Sequence, residues 1–343
     1  MKKFLLDRAH FIAELLISII IIGLLLHFAG FEDFMGYVGN INLWRLALSV
    51  ILLILMYFGM VLRIRIMLAE MGVKLGWMDT FRANLSGMLV ADLTPARSGY
   101  MTTALVLNKK YHVPSEKAMV SILGPQMCDF IVKVGAGGVA LFYLLSEVLK
   151  TDSGWIMYLG VFGISAMLAI MALLLYSKRF LGLFGFMGGW PVLGEVLAMF
   201  HRMQEHSGVV IRKAPEIIGL QAVTWSLKAF SWWAAAESVG IHIDFPIHGA
   251  LFFYFFQPLV TMLEFIPTPT LAGMGLSETG GALVLGLMGV PVAQATAFML
   301  VVRFKTFAVN IPGYKYAMDA LKGFGKKGQG AGKYKHATGA RGK

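Results

Sequence analysis

Glu278 and Arg303 are the first residues in this chain that suggest chemistry, because both fall in an otherwise apolar stretch, 268–303. An arginine at membrane depth can grip a phosphate with two parallel N–H donors, and a nearby carboxylate can occupy it when the site is empty. The same pair could instead be a salt bridge that fixes two helices. A charged group costs about 2.5–3.5 kcal/mol at the centre of a membrane helix, so either role needs a defined partner. Pro267 and Pro269 forbid a regular helix at the start of the stretch, and Gly273, Gly275, Gly280 and Gly281 allow close backbone approach. Irregular backbone is tolerated at that depth where protein or a water-filled cavity satisfies it.

Other residues raise the same question. Arg97 sits between Pro95 and Gly99 and could offer a headgroup contact from a broken helix end, or be a cytoplasmic loop arginine. Asp129 and Lys133 are spaced to neutralise each other on one helix face, or to relay a proton or ion. Lys228 has no acid within a turn, and Trp225 and Trp232 lie on roughly its own face, so it could line a cavity or snorkel to a surface. His242, Asp244 and His248 lack a third strong ligand and read as a solvated loop; no metal is expected there. No phosphate-binding loop is present and no cofactor is expected.

The elements that must position these residues are membrane helices. Hydrophobic residues make up 57% of the chain and charged residues 14%, and the mean hydropathy is +0.71, which excludes an ordinary soluble domain. The net charge of +11 collects at the start, between apolar runs and in the final thirty residues or so. Anionic lipid headgroups, and no nucleic acid, are the expected partners. Cys128, the one cysteine, can form no internal disulfide.

Apolar runs at 11–30, 43–61, 118–145, 155–176, 217–239 and 247–265 read as crossings, followed by 273–289 and a last helix at 291–311. The run 84–107 is interrupted by Asp92, Pro95, Arg97 and Gly99 and reads as re-entrant or broken. The expected fold is therefore all-α and integral to the membrane, with about eight transmembrane segments and two broken or re-entrant helical regions. Residues 1–314 form the membrane domain, 178–216 an amphipathic cytoplasmic connector, and 315–343 a basic disordered tail. Lys2 and Lys3, the acidic pair Glu32 and Asp33 and the basic tail place both termini in the cytoplasm of a multi-pass cell-membrane protein.

Two stretches echo each other. Thr94, Pro95 and Gly99 recur as Thr268, Pro269 and Gly273, and the same shift of 174 residues carries Asp129 to Arg303 and Phe130 to Phe304. Paired interrupted segments point to a transporter site, with repeat halves at about 43–148 and 217–312.

At these residues the chain resembles the membrane, flippase-like domain of the lysylphosphatidylglycerol synthase family. The resemblance covers nearly the whole chain. It rests chiefly on Pro269, Gly273, Gly275, Glu278, the Gly289-Val290 pair and Arg303, and in the first half on Pro95, Gly99 and Asp129. Two positions depart from the family pattern: Tyr100 stands where an acidic residue often follows the glycine, and no arginine precedes Asp129 in 124–129. The chain has no region for the soluble aminoacyl-transfer domain, so the resemblance implies lipid handling without synthase chemistry.

The expected function is a non-enzymatic, flippase-like transporter of a phospholipid or lipid-linked headgroup. Its substrate-binding residues would be Arg97, Asp129, Lys228, Glu278 and Arg303, with structural turns at Pro95, Gly99, Pro269, Gly273 and Gly275. Two alternatives stand beside it. One is an integral-membrane enzyme acting on lipid-linked sugar or phosphate through Asp92, Glu264 or Glu278; the other is a non-transporting partner of a lipid enzyme. Assembly into a homo-oligomer is left open.

Overall fold

The computed structural model describes residues 2–143, 176–185, 191–243, 249–264, 268 and 270–320, with seven further residues between 162 and 173. Among them the chain is entirely helical. In order come α1 (Lys2–Ala29), α2 (Phe31–Gly39), α3 (Leu43–Glu70), α4 (Trp77–Ala91), a 3-10 turn (Pro95–Met101), α5 (Thr102–Tyr111) and α6 (Ser115–Tyr143). After these come α7 (Lys178–Gly182), α8 (Pro191–His206), α9 (Gly208–Arg212), α10 (Ala214–Ser238) and α11 (Gly249–Leu263). A 3-10 turn (Leu271–Gly273), α12 (Leu276–Leu287) and α13 (Val292–Asn310) complete the order, and α13 runs on through a 3-10 turn (Ile311–Gly313). Among the described residues, four helices are long and apolar enough to cross a bilayer: Ile12–Ala29, Leu43–Glu70, Ser115–Ala140 and Val292–Ala320. Their outward faces carry side chains such as Ile19, Ile20, Leu48 and Ile51, the exposed apolar surface that hydrocarbon requires.

The central pair is α3 and α10, which pack antiparallel along their lengths. Asn42 caps α3 by accepting from the Trp44 and Arg45 amides, both at 3.1 Å. At that end Arg45 pairs with Glu237 of α10. At the other, Glu70 meets Arg212 at 3.3 Å and Lys213 at 3.8 Å. Between these ends Ser49 and Ser231 exchange hydrogen bonds, each hydroxyl donating to the other's carbonyl at 2.6 and 2.7 Å. Gly59 lies so close to Thr224 that a Cβ would collide with its methyl group.

Two helical hairpins flank this pair. The α4–α5 hairpin opens toward the Glu70 end of α3: Tyr316 receives Arg82, near the start of α4, and Lys110, near the end of α5, over its ring at 5.6 and 4.1 Å. The α11–α12 hairpin opens toward the Asn42 end, where Ile241, Phe253, Leu285 and Val290 share one apolar cluster and Gln294 donates to the Val239 carbonyl at 3.0 Å. The 3-10 turns at the two tips pack against each other. Apolar cores close the molecule on either side, one around Met67, Leu107, Ile122 and Ile217, the other around Trp232, Phe256 and Phe298.

Several boundaries differ from the sequence reading. The segment 247–265, taken as a crossing, is a 15-residue helix spanning only about 22 Å at helical rise, and the chain then turns back through α12. Apolar composition cannot distinguish a hairpin arm from a crossing. The second span does not end at Val61, because the apolar pattern resumes with Ile64, Met67 and Leu68 and brings Arg63 inside α3. Trp77 and Arg82 belong to α4, which continues without a break into the interrupted run at 84–107. Helix continues over 314–320, with Ala317 and Ala320 buried, where a disordered tail was expected. The crossing at 155–176, the rest of the tail, Asp244 and His248 lie wholly or largely outside the described residues.

Candidate functional site

The hairpin tips meet over a cavity of about 440 Å³ at the centre of the helices. The first tip is shaped by a short hydrogen-bond clasp. Thr94 Oγ1 donates to the Val90 carbonyl at 2.9 Å and accepts from the Gly99 amide at 2.7 Å. Any side chain at Gly99 would run into Val90 O, so glycine is required there. Arg97 takes φ +53°, the left-handed region that non-glycine residues rarely adopt. From this turn its guanidinium spans two carboxylates, Asp92 at 3.0 Å and Glu264 at 2.5 Å.

The second tip is built around Glu278. Gly275, with φ +90°, ends the turn and starts α12. Glu278 Oε2 reaches back to accept from the Gly275 amide at 2.7 Å, satisfying a free helix-start N–H. Its other oxygen accepts from Arg303 Nε at 2.5 Å. Arg303 Nη2 donates to Ser277 at 2.7 Å and lies 3.5 Å from Glu264. Asn310 donates to the free oxygen of Asp92 at 2.6 Å.

The result is a chain of alternating charge, Asp92–Arg97–Glu264–Arg303–Glu278, that ties both hairpin tips to α13. All its carboxylates are buried, Glu278 to 1% exposure. Each is held by a guanidinium, so charge that would be costly in hydrocarbon is paired.

A second polar wall lies on α3, α6 and α10. Asp129 pairs with Lys133 at 2.5 Å and accepts from Gln221 at 2.6 Å. Gln221 in turn accepts from Arg63. Lys228 faces the cavity and makes no hydrogen bond or ion pair among the described residues. Lys305 is held by the hydroxyls of Ser49 and Ser231 and by the Ser231 carbonyl.

Lys305 is thus a buried cation without a carboxylate. Because the two serine hydroxyls already donate to each other's backbone, neither would be orphaned if Lys305 were replaced by an apolar residue of similar length. Lys305→Met is therefore expected to stabilise the fold, by about 1–4 kcal/mol if it behaves like other buried charges exchanged for apolar groups. A higher thermal midpoint in detergent micelles is the result to look for; a lower one would show that the cation is needed for the fold.

Of the residues singled out in the sequence, Arg97, Glu278 and Arg303 are joined in one network, and Asp129 and Lys228 line the same cavity from the opposite wall. Pro95 opens the first turn, and Gly99, Gly273 and Gly275 shape the two tips; Pro269 lies outside the described residues. His242 bonds to Glu237 at 3.1 Å, and no cluster of three or more His, Cys, Asp or Glu suited to a metal occurs among the described residues.

Arg63, Gln221, Lys305 and Asn310 were not anticipated as site residues, and Asp92 and Glu264 only as enzyme carboxylates. The signal for Arg63 was the apolar run resuming behind it. For Lys305 it was a second cation two residues after Arg303, in a helix that stays apolar on both sides.

No curated protein matches the chain. A family model described as the lysylphosphatidylglycerol synthase TM region matches residues 11–313. Among the described residues that match takes in both hairpins, the cavity and the four long apolar helices save for 314–320, and the chain is a multi-pass integral membrane protein belonging to the lysylphosphatidylglycerol synthase TM-region family.

Proposed function

We propose that this protein moves a phospholipid or lipid-linked headgroup between the leaflets, through the cavity between its two hairpins. The observation that carries the reading is the meeting of two broken hairpins, entered from opposite ends of the molecule, over a charged cavity at mid-depth. A headgroup cannot enter hydrocarbon cheaply, and this arrangement offers it polar partners where the bilayer offers none.

The order of elements supports a repeat. A helix, a hairpin with a 3-10 tip and a second long helix occur once as α3 to α6 and again as α10 to α13. The 174-residue spacing of Thr94 and Thr268 brings these elements approximately into register. Because α3 and α10 run antiparallel, the halves would be inverted, so each hairpin is re-entrant from its own side. Inverted repeats with discontinuous helices at the midplane are a recurring plan for alternating access.

The start of α1 and the end of α13 then lie on one side, together with Lys74, Lys109, Lys110, Lys117, Arg202 and Arg212. The opposite side carries Glu32, Asp33 and Glu237. The positive-inside rule makes the first side cytoplasmic, where the basic residues also suit anionic lipid headgroups. Asp92, Glu264 and Glu278, which an enzyme would use as bases, are occupied by guanidinium groups, which favours binding over catalysis.

Purified protein in liposomes carrying fluorescent phospholipids of varied headgroup tests the proposal through leaflet exchange. Wild type is expected to accelerate exchange. Arg97→Ala, which removes the charged contact between the hairpins, should slow it about tenfold or more, the scale set by losing hydrogen bonds to a charged group. No acceleration by wild type under any ion gradient would overturn the proposal.

A further inference from the structure

Basic side chains outnumber acidic ones around the cavity, six to four, although the chain of charge at the hairpin tips is itself one carboxylate in excess. The surplus of basic side chains is therefore on the other wall. Unsatisfied hydrogen-bonding capacity lies there too. Arg63 Nε and Trp225 Nε1 are both buried without a partner, and Lys228 has none among the described residues.

Buried donors are normally paired, so open ones gathered on a cavity wall call for a partner. Gln221, Trp225 and Lys228 follow one another along one face of α10, four and then three residues apart, so the open donors fall within about two helical turns. Gln221 fixes the Arg63 guanidinium from below, accepting from it while donating to Asp129. Tyr254 fixes the Trp225 indole edge-on at 5.4 Å.

We infer that Arg63, Trp225 and Lys228 form the anion-binding part of the cavity, and that its ligand is a phosphoryl oxyanion carried by a lipid. Arg63 Nε, Trp225 Nε1 and Lys228 can only donate, and the open Tyr57 hydroxyl beside them can donate as well, so the ligand must bring acceptors. A phosphate supplies several oxygens to a guanidinium, an indole N–H and an ammonium together. A headgroup presenting only an ammonium would face Lys228 with like charge. The assignment rests on the translocation reading and narrows it: the phosphate binds the α3–α10 wall, while the network through Arg97 and Arg303 is closed on itself and holds the hairpins.

The test is direct binding to the full chain in detergent micelles, measured with dihexanoyl phosphatidate, inorganic phosphate and the phosphate-free dihexanoylglycerol. Phosphatidate should bind and dihexanoylglycerol should not compete with it. Lys228→Ala should weaken phosphatidate about tenfold or more, as expected for a charged hydrogen bond, whereas Lys228→Arg retains most of the affinity. Trp225→Phe, which keeps the ring and removes only the donor, should weaken it by a smaller factor and so covers the case in which Lys228→Ala does not fold.

Inorganic phosphate binding with the same Lys228 dependence but far more weakly supports the site and its lipid source. If inorganic phosphate binds as tightly, the lipid assignment is overturned. Equal binding of dihexanoylglycerol, or phosphatidate affinity unchanged in both Lys228→Ala and Trp225→Phe, overturns the site. Leaflet exchange by wild type is read separately: binding without exchange removes translocation and leaves the anion site standing, and exchange indifferent to Lys228 does the reverse.

Discussion

Arg303→Ala is expected to be among the most damaging single substitutions in this protein. It leaves Glu278 facing an empty space at 1% exposure and takes from Glu264 one of its two cations. Breaking a buried ion pair by removing one partner typically costs about 3–5 kcal/mol, because the other charge stays buried and unpaired. That is a large part of the stability of an ordinary domain.

The expected outcome is a steep loss of folded yield and of thermal midpoint. Leaflet exchange should be lost with it, since this guanidinium ties Glu264, Ser277 and Glu278 of the second hairpin to α13. The double variant Glu278→Gln with Arg303→Met removes both charges and should recover much of the lost midpoint without recovering exchange. A double variant no more stable than Arg303→Ala would mean that the pair is not the source of the loss.

The second large effect is at the crossing of α3 and α10. Gly59→Ala places a methyl group where the Thr224 methyl already is. Overpacking of this kind costs about 1–3 kcal/mol when neighbours must shift, and here both partners sit on long helices that cannot easily separate. Thr224→Ala in the same chain vacates the space. Thermal midpoints should therefore fall for Gly59→Ala and return toward wild type in the double variant. If the double variant falls as far as the single one, the helices do not approach at Gly59 as described.

Much of this was legible in the sequence. Prolines and glycines around Glu278 marked a broken segment, and Arg303 inside an apolar run demanded a partner that proved to be Glu278. The recurrence of Thr94, Pro95 and Gly99 as Thr268, Pro269 and Gly273 pointed to two related tips, and those tips touch.

What was hidden depended on contacts distant in sequence. Arg97 finds Glu264 across the hairpin interface, and Arg63 finds Gln221 only because α3 and α10 run antiparallel. Arg63 also looked like the edge of a membrane span, since a lone arginine in an apolar run gives no sign of whether the helix continues. The 247–265 segment misled for a related reason: a hairpin arm packed among other helices is as apolar as a full crossing, and its 15-residue length tells them apart.

The antiparallel crossing of α3 and α10 has one more consequence. In the inverted repeat proposed above, an opening toward one leaflet would become an opening toward the other when the halves exchange shapes, so the backbone alone would have no preferred direction. Any rectification must come from side chains that break the symmetry. The repeat spacing sets Arg63 against Glu237 and Asp129 against Arg303, in both cases opposite in sign. On the translocation proposed above, any preferred direction would come from these exchanged charges, with Arg63, Asp129 and Arg303 lining the cavity and Glu237 paired with Arg45 at the Asn42 end of α3.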